Sequence, residues 1–167
     1  MINVIEIRYL NRAETLKEIQ RYFKIYELVG RLTYKVFGER AWMFFSTNIL
    51  KSLLIVRIGL DSPITVNTWY WSGKFSQRGL RTVFQQIAKN AFYKGRLYLS
   101  PHLFARAIDF DVEGMTATNV RSWMVKNADL FPEKIRLEKT YKGKEINWVH
   151  MDDFWEAKNP KVYLFDV

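Results

Sequence analysis

Apolar and polar residues recur along the chain with two spacings, which predict where helices and strands lie. Helical spacing predicts helices over residues 13–22, 25–37 (interrupted near Gly30), 48–58, 81–92 and 116–127, the last with Thr116 as its N-cap. Alternation and β-branched or aromatic content predict strands over 2–8, 64–70, 107–112, 146–151 and 162–165, with a turn at 61–63. The predicted elements of the first part are mostly helices, and strands and helices alternate after them. This order predicts an α+β fold with a small, mainly antiparallel sheet and N-terminal and flanking helices.

Length and composition predict one domain and limit its chemistry. The 167 residues fit a single domain over 1–167, in which residues 1–20 are an N-terminal extension. The chain shows no repeat, linker or low-complexity segment. It contains no cysteine, which excludes disulfides and thiolate metal sites. Any metal must therefore be held by nitrogen and oxygen.

The net charge of +9 predicts an anionic partner, either nucleic acid or a cell-wall polymer, although it also serves solubility. Nucleic acid is the weaker of the two, because the lysines and arginines are scattered and form no recognisable binding motif. The N-terminal stretch lacks the apolar core of a signal peptide. No apolar stretch reaches the roughly 18–20 residues of a membrane span, so we expect synthesis in a cytoplasm and no membrane partner.

The two histidines of the chain, His102 and His150, each lie beside apolar segments. Asp109 follows His102 by seven residues and sits between Ile108 and Phe110 in a predicted strand. A buried carboxylate is costly unless it is paired or binds a metal. Two histidines and one carboxylate, with a fourth position open, are the ligand pattern of a catalytic zinc site. The alternatives are core histidines with satisfied hydrogen bonds and an aspartate that caps a turn or pairs with arginine.

Four segments resemble, in order, motifs of the zinc D-Ala-D-Ala carboxypeptidases and phage endolysin peptidases. SPHLFARAIDFDV resembles their Ser-x-His-x-x-Gly-x-Ala-x-Asp motif, and WVHMD resembles the motif of the last zinc histidine. RYFKIYELV resembles the Phe-x-x-x-Glu-Leu element, and SPITVNTWYWSG resembles the Pro-Ile-x-Ile-Asn-Ser substrate strand. VYLFDV is similar to the closing strand. NTWYWSGKFSQRGLR resembles proteins encoded by phages of Bacteroides-type bacteria.

The resemblance implies a fold of the hedgehog/DD-peptidase type and a zinc ion held by His102, Asp109 and His150, with Ser100 supporting the first motif. The family also uses an arginine after the substrate strand to hold the peptide carboxylate. That position is Trp71 here, so Arg78 and Arg81 are the candidates to replace it; the alternative is that both belong to an ordinary solvated helix start.

Two further family positions differ in this chain. The motif glycine is Ala105, a change that matters only where the backbone needs a positive φ. The general base that many members place three residues before the last histidine is Asn147, which cannot accept a proton from water. Asp152 and Glu138 are the candidate bases in its place, unless both merely support the site or lie on the surface.

Three functions follow from these observations. The first is a phage-encoded zinc peptidase that cleaves peptidoglycan peptides, made in the host cytoplasm and acting at the cell wall or in the virion. The second is a catalytically degenerate domain that serves as a structural virion component of a tail or neck and binds other virion proteins. Asn147, Ala105, Trp71 and the neighbouring aromatic residues favour the second. The third, a nucleic-acid binder, rests on charge alone.

Overall fold

A computed structural model describes residues 2–154 and 160–167, and within them the chain is a mixed α+β protein. The described part contains seven α-helices and a five-stranded mixed sheet. The helices are α1 (Val4–Ile7), α2 (Arg12–Ile19), α3 (Ile25–Leu28), α4 (Arg31–Phe37), α5 (Thr47–Gly59), α6 (Gln86–Tyr93) and α7 (Ala117–Lys126). The strands are β1 (Ile64–Thr65), β2 (Ala107–Val112), β3 (Ile135–Tyr141), β4 (Lys144–Asp152) and β5 (Val162–Asp166).

Most of the helices predicted from the sequence are present, and the strand predicted over residues 2–8 is wrong. That segment forms α1 because Asn3 and Glu6 make a capping box: the Asn3 side chain accepts a hydrogen bond, and the Glu6 side chain accepts one from the Asn3 N–H. The hydrogen bonds of this capping box favour a helix more strongly than the short alternation of apolar residues favours a strand. The helix predicted over 25–37 is split at Gly30 into α3 and α4, as the interruption indicated.

The hydrophobic core is built around α5, in which every residue from Ile49 to Val56 is buried. A helix that is covered on all sides needs no polar face, and the apolar run of this segment fits that position. Helices α1 and α2 pack against α5 and contribute Ile7 and Ile19 to the same core. Both helices of the stretch predicted as an N-terminal extension thus contribute to the domain's core.

The sheet has the strand order β1-β2-β4-β3-β5, with all neighbours antiparallel except β3 and β5. The expectation of a mainly antiparallel sheet is therefore confirmed. Residues of one face, among them Ile108, Phe110, Leu137 and Met151, join the hydrophobic core. Because side chains alternate along a strand, Asp109, His150 and Glu138 all point to the opposite face.

Two predicted elements are shorter than expected. The strand predicted over 64–70 pairs only at Ile64–Thr65, and Trp69–Trp71 forms a 3-10 helix. The helix predicted over 81–92 begins only at Gln86, because the backbone of Arg81 is bound to the carbonyl of His102.

Within the described residues, no single helix is long and apolar enough to cross a membrane. By length and composition alone, the segments Arg31–Phe44 and Thr47–Gly59 pass that test as a pair, with a bend of 90° between them.

Candidate metal centre

Three side chains meet on the polar face of the sheet with one ligand atom each: His102 Nε2, Asp109 Oδ1 and His150 Nδ1. His102 Nε2 lies 3.3 Å from each of the other two atoms, and His150 Nδ1 lies 2.6 Å from Asp109 Oδ1. A tetrahedral ion with bonds of about 2.0–2.1 Å separates its ligand atoms by roughly 3.3–3.4 Å. Two of the separations already match this value, and the third is a hydrogen bond that an ion would replace.

The second ring nitrogen of each histidine is held by an acceptor. His102 Nδ1 donates to the Gly79 carbonyl at 2.8 Å, and His150 Nε2 donates to Asp152 Oδ2 at 3.1 Å. Such outer hydrogen bonds fix the tautomer and the ring orientation of metal-binding histidines. They leave His102 Nε2 and His150 Nδ1 to face the same point. The three residues are buried, and this group can hold a metal ion.

The register of three strands brings these groups together. Asp109 of β2 and Glu138 of β3 both pair with His150 of β4, one from each side. The next row along β4 and β3 pairs Asp152 with Arg136, whose guanidinium binds both carboxylate oxygens at 2.8 and 3.2 Å. The site is therefore a line of polar residues across a sheet whose other face is apolar.

Asp152 is the most tightly held of the predicted site residues. It has no exposed surface, and Arg136 and the backbone N–H of Phe154 both bind its Oδ1, while Oδ2 binds Arg136 and His150. Both oxygens of this carboxylate are therefore engaged, and one of them holds the His150 ring.

Glu138 is less enclosed than Asp152. It lines the pocket that opens beside the three ligand atoms, here termed the metal pocket. This pocket has a volume of about 490 Å³, and its lining includes Arg81, Trp148 and Phe165. Burial raises the pKa of Glu138; the charge of His150 lowers it, and the charges of Asp109 and Asp152 raise it further. A carboxylate in these surroundings is a better proton acceptor than an ordinary surface glutamate.

The two predicted arginines have different positions. Arg81 lies in the site: its Nη2 donates to Asp109 Oδ2 at 2.7 Å and its Nη1 to the Tyr98 hydroxyl at 3.1 Å. Arg81 therefore occupies the second oxygen of Asp109 and leaves Oδ1 for a metal. Arg78 pairs instead with Asp111 and is not among the described residues that line the metal pocket.

The charges of the site are strongly coupled. Burial alone lowers the pKa of His150, but the hydrogen bond and charge of Asp109, followed by those of Asp152, raise it to about 9. Burial raises the pKa of Asp109, yet the charge and hydrogen bond of His102 and the contacts with His150 hold it well below its usual range. Burial lowers the pKa of His102. Without a metal, His150 is thus a cation between two carboxylates.

The segment before α6 holds two of the three candidate ligands through its backbone carbonyl groups. The Gly79 carbonyl holds His102, and the Arg78 carbonyl accepts the backbone N–H of Asp109. Gly79 packs directly on α3: a Cβ at this position would lie 1.9 Å from the carbonyl oxygen of Leu28. This role could not be predicted from the sequence, because Gly79 acts only through its backbone.

Two further motif segments meet at the same support. Asn67 is buried, its backbone N–H donates to the Glu27 carbonyl, and its Oδ1 accepts the backbone N–H of Arg78. Glu27 belongs to the segment that resembles the Phe-x-x-x-Glu-Leu element, and Asn67 belongs to the one that resembles the substrate strand. The segments singled out in the sequence are therefore in contact.

The first motif turns sharply between its two ligands. The Ser100 side chain caps the 3-10 helix Pro101–Phe104, which carries His102. Ala105 ends this helix in the left-handed region, with φ 51° and ψ 36°. At the position where the family motif has glycine, this chain thus has a positive φ, a conformation that favours glycine.

The other departures lie outside the pocket. Asn147 is exposed and lies beside Thr116 and Glu145, and it is not among the described residues that line the metal pocket. Trp71 is exposed and packs edge-on against Tyr26. Arg136 was not predicted from the sequence; its one signal there is that it lies two residues before Glu138 and therefore on the same face of the strand.

No protein-family model, curated protein or solved structure matches this chain.

Proposed function

We propose that the protein is a zinc-dependent peptidase that acts on peptidoglycan peptides, with a fold of the D-Ala-D-Ala metallopeptidase type. The observation that carries the proposal is the convergence of His102 Nε2, Asp109 Oδ1 and His150 Nδ1 beside an open pocket. A structural zinc site has four protein ligands, whereas a catalytic one has three and an open position. The described residues supply three.

Zinc suits this donor set, which contains two imidazoles and one carboxylate. An ion held there supplies Lewis acidity, which lowers the pKa of water and polarises a carbonyl group. The protein's own contribution is to hold the ligands in place: Gly79 and Asp152 fix the two imidazole rings, and Arg81 binds the outer oxygen of Asp109.

Glu138 is the proposed proton acceptor. It stands opposite His150 across the β3–β4 pair, lines the pocket and has a raised pKa. General acid–base catalysis of this kind contributes about 10²–10⁴-fold to a rate. Asp152, the other candidate, is assigned the positioning of His150, because both of its oxygens are occupied.

Arg81 is the proposed contact for the substrate, since its side chain lines the pocket beside the ligand atoms. Its hydrogen bonds with Asp109, Tyr98 and the Gln77 carbonyl hold the guanidinium in a fixed orientation. A guanidinium held in this way can bind a carboxylate or carbonyl oxygen of a peptide. Arg78 takes no part in this proposal.

The alternative is a degenerate domain that keeps the fold as a structural component of a phage virion, in a tail or neck. The exposed position of Asn147 outside the pocket favours it, since the motif position of the base contributes nothing to the site. The two functions predict opposite results with peptidoglycan.

The test combines metal analysis with release of peptides from purified sacculi of several wall types. We expect about one zinc per chain in protein purified without chelator, and soluble peptides released from at least one wall type. His102→Ala and His150→Ala should lose both. Zinc-free protein after purification with zinc supplied would overturn the metal assignment, and bound zinc with no release from any wall would favour the structural alternative.

The role of Glu138 is tested with a matched pair of variants. Glu138→Gln should keep zinc and lower turnover by about 10²-fold or more. Glu113→Gln makes the same change at an exposed glutamate outside the pocket and should cleave like the unaltered chain. Normal turnover by Glu138→Gln would assign the proton transfer to another group.

A further inference from the structure

The segment of residues 83–99, which contains α6, exposes an unusual amount of apolar surface. Its exposed apolar side chains are those of Val83, Phe84, Ile87, Phe92, Tyr93, Leu97 and Leu99. Leu97, Phe92 and Tyr93 are 84%, 77% and 77% exposed, more than any other large hydrophobic residue in the described ranges. An apolar surface of this kind marks a site of interaction.

The segment is nevertheless an ordered structure of its own. Helix α6 ends in a Schellman motif: the N–H of Arg96 binds the Ala91 carbonyl, the N–H of Gly95 binds the Phe92 carbonyl, and Gly95 has φ +64°. The chain then returns along the helix. Leu97 and Tyr98 of this returning segment line a cavity of about 270 Å³, together with Ala88 and Phe92 of the helix.

The two faces of α6 differ in chemistry. Helical spacing places Ile87, Ala88, Ala91 and Phe92 over one half of the helix and Gln86, Lys89, Asn90 and Tyr93 over the other, with Lys89 next to Phe92 at the boundary. Ala88 is the buried residue of the helix, so the domain covers only a narrow stripe of the apolar face. The helix is amphipathic, and most of its apolar face has no partner in the described structure.

Charge identifies the chemistry of the partner. Residues 62–108 contain seven lysines or arginines and no aspartate or glutamate, in a chain with 17 acidic residues. Within the segment the cations are Lys89, Lys94 and Arg96, all exposed and without a carboxylate partner in the described part of the chain. A partner of this surface must therefore be both anionic and apolar.

We propose that the 83–99 segment docks onto an anionic phospholipid bilayer, with its apolar side chains in the interface and its cations against the headgroups. Amphipathic helices with a basic polar face and Phe, Trp or Leu on the other bind membranes in this manner. This replaces the expectation from the sequence that the protein has no membrane partner. It does not depend on the proposed peptidase activity.

The aliphatic side chains favour lipid over nucleic acid. Bases stack on aromatic rings, and Phe92 and Tyr93 offer such rings, but exposed leucines at 97 and 99 give no stacking surface. Acyl chains accept both kinds of side chain. Ile87 and Leu99 also line the metal pocket, so the bilayer-bound segment forms one rim of that pocket.

The test is sedimentation of the full chain with vesicles, comparing phosphatidylglycerol–phosphatidylcholine mixtures with phosphatidylcholine alone. We expect binding to the anionic vesicles that weakens with salt, because screening shortens the reach of the charges. Lys89→Gln, Lys94→Gln and Arg96→Gln together should lower partitioning about 100-fold, since each cation contributes a factor of about five near an anionic surface. The control triple, Lys17→Gln, Lys35→Gln and Lys126→Gln, removes the same charge from exposed sites elsewhere and should bind nearly as well as the unaltered chain.

A second variant tests insertion. Phe92→Ser with Leu97→Ser replaces two exposed side chains, leaves the core intact and should lower partitioning at least about tenfold. Equal binding to neutral vesicles, or no binding to either kind, overturns the proposal. So does an oligonucleotide complex that the serine variant leaves unchanged while vesicles fail to bind, or a dimer that this variant disperses without any vesicle binding.

Discussion

Ala105 holds the turn between the His102 helix and β2 in a conformation that L-residues rarely adopt. Its φ of 51° brings the chain from the His102 helix into β2 and buries its methyl group. The left-handed region costs a residue with a Cβ about 1–2 kcal/mol, and glycine is spared this cost. Part of that gain is lost to the greater freedom of glycine in the unfolded chain.

Ala105→Gly should therefore raise the free energy of unfolding by about 0.5–1 kcal/mol, measured by chemical denaturation. Ala107→Gly, in the extended backbone of β2, is the control and should lower it by roughly 0.5–1 kcal/mol. A loss of stability in Ala105→Gly would mean that packing of the Ala105 methyl group contributes more free energy than the strained turn costs.

His150 makes metal binding depend on pH. A ligating histidine must be neutral, so zinc competes with the proton on Nδ1. The neighbouring carboxylates of Asp109 and Asp152 raise the pKa of His150 to about 9 in the metal-free protein, against about 6.5 in an unfolded chain. The proton therefore stabilises the metal-free fold fully below about pH 6.5, and this contribution is lost as the pH rises through about 9.

We expect the apparent affinity for zinc to keep rising between about pH 6.5 and 9, as measured by competition with a chelating dye. In Asp152→Asn, one of the two charges beside His150 is gone, so the rise should end at a lower pH. An affinity that is already constant above about pH 7 would contradict the raised pKa.

At the scale of elements, the sequence located β2 and β4 correctly because their apolar residues mark a sheet buried on one face. It also located α5 and α7, whose N-caps Ser46 and Thr116 bind the backbone of the first turn. The register of the strands could not be predicted from the sequence. The alignment of Glu138 with His150 depends on a hairpin register that the side-chain pattern alone does not determine. The support from Gly79 was also missed, because a carbonyl group leaves no mark in the sequence.

The β3–β4 pair predicts a role for Asp152 that differs from catalysis. Asp152→Ala removes the acceptor of His150 Nε2, and the loss of such an outer contact costs about 10–100-fold in metal affinity. We expect this fall in a zinc titration. Asp166→Ala, at an aspartate bonded to Thr140 on β3, is the control and should bind zinc normally. Unchanged affinity in Asp152→Ala would return Asp152 to the list of candidate bases.

At the scale of the whole molecule, an ion at this centre would join the 3-10 helix before β2 to two neighbouring strands. Its ligands come from residues 102, 109 and 150, which are brought together only by folding. A ligand that binds only the folded chain stabilises it by about 4 kcal/mol at 1,000 times its dissociation constant. For a chain of this size, each 1 kcal/mol shifts the melting temperature by about 2–4 °C.

Chelator should therefore lower the melting temperature of the zinc-loaded protein by about 10 °C, as followed by differential scanning fluorimetry. His102→Ala should melt at the same temperature with and without chelator. A zinc-loaded chain whose melting curve ignores chelator would show that the ion adds nothing to stability.

The contact between Gly79 and Leu28 also limits which sequences can preserve this centre. Any side chain at position 79 would drive its Cβ into the backbone of α3, moving the carbonyl that holds His102. In a saturation library sorted for zinc-dependent stability, position 79 should return glycine alone. Position 114, which has φ +73° and open space around it, should also return asparagine and aspartate. A glycine that brings no side chain to the site thus tolerates less variation than the exposed lysines at 74 and 89 of the same stretch.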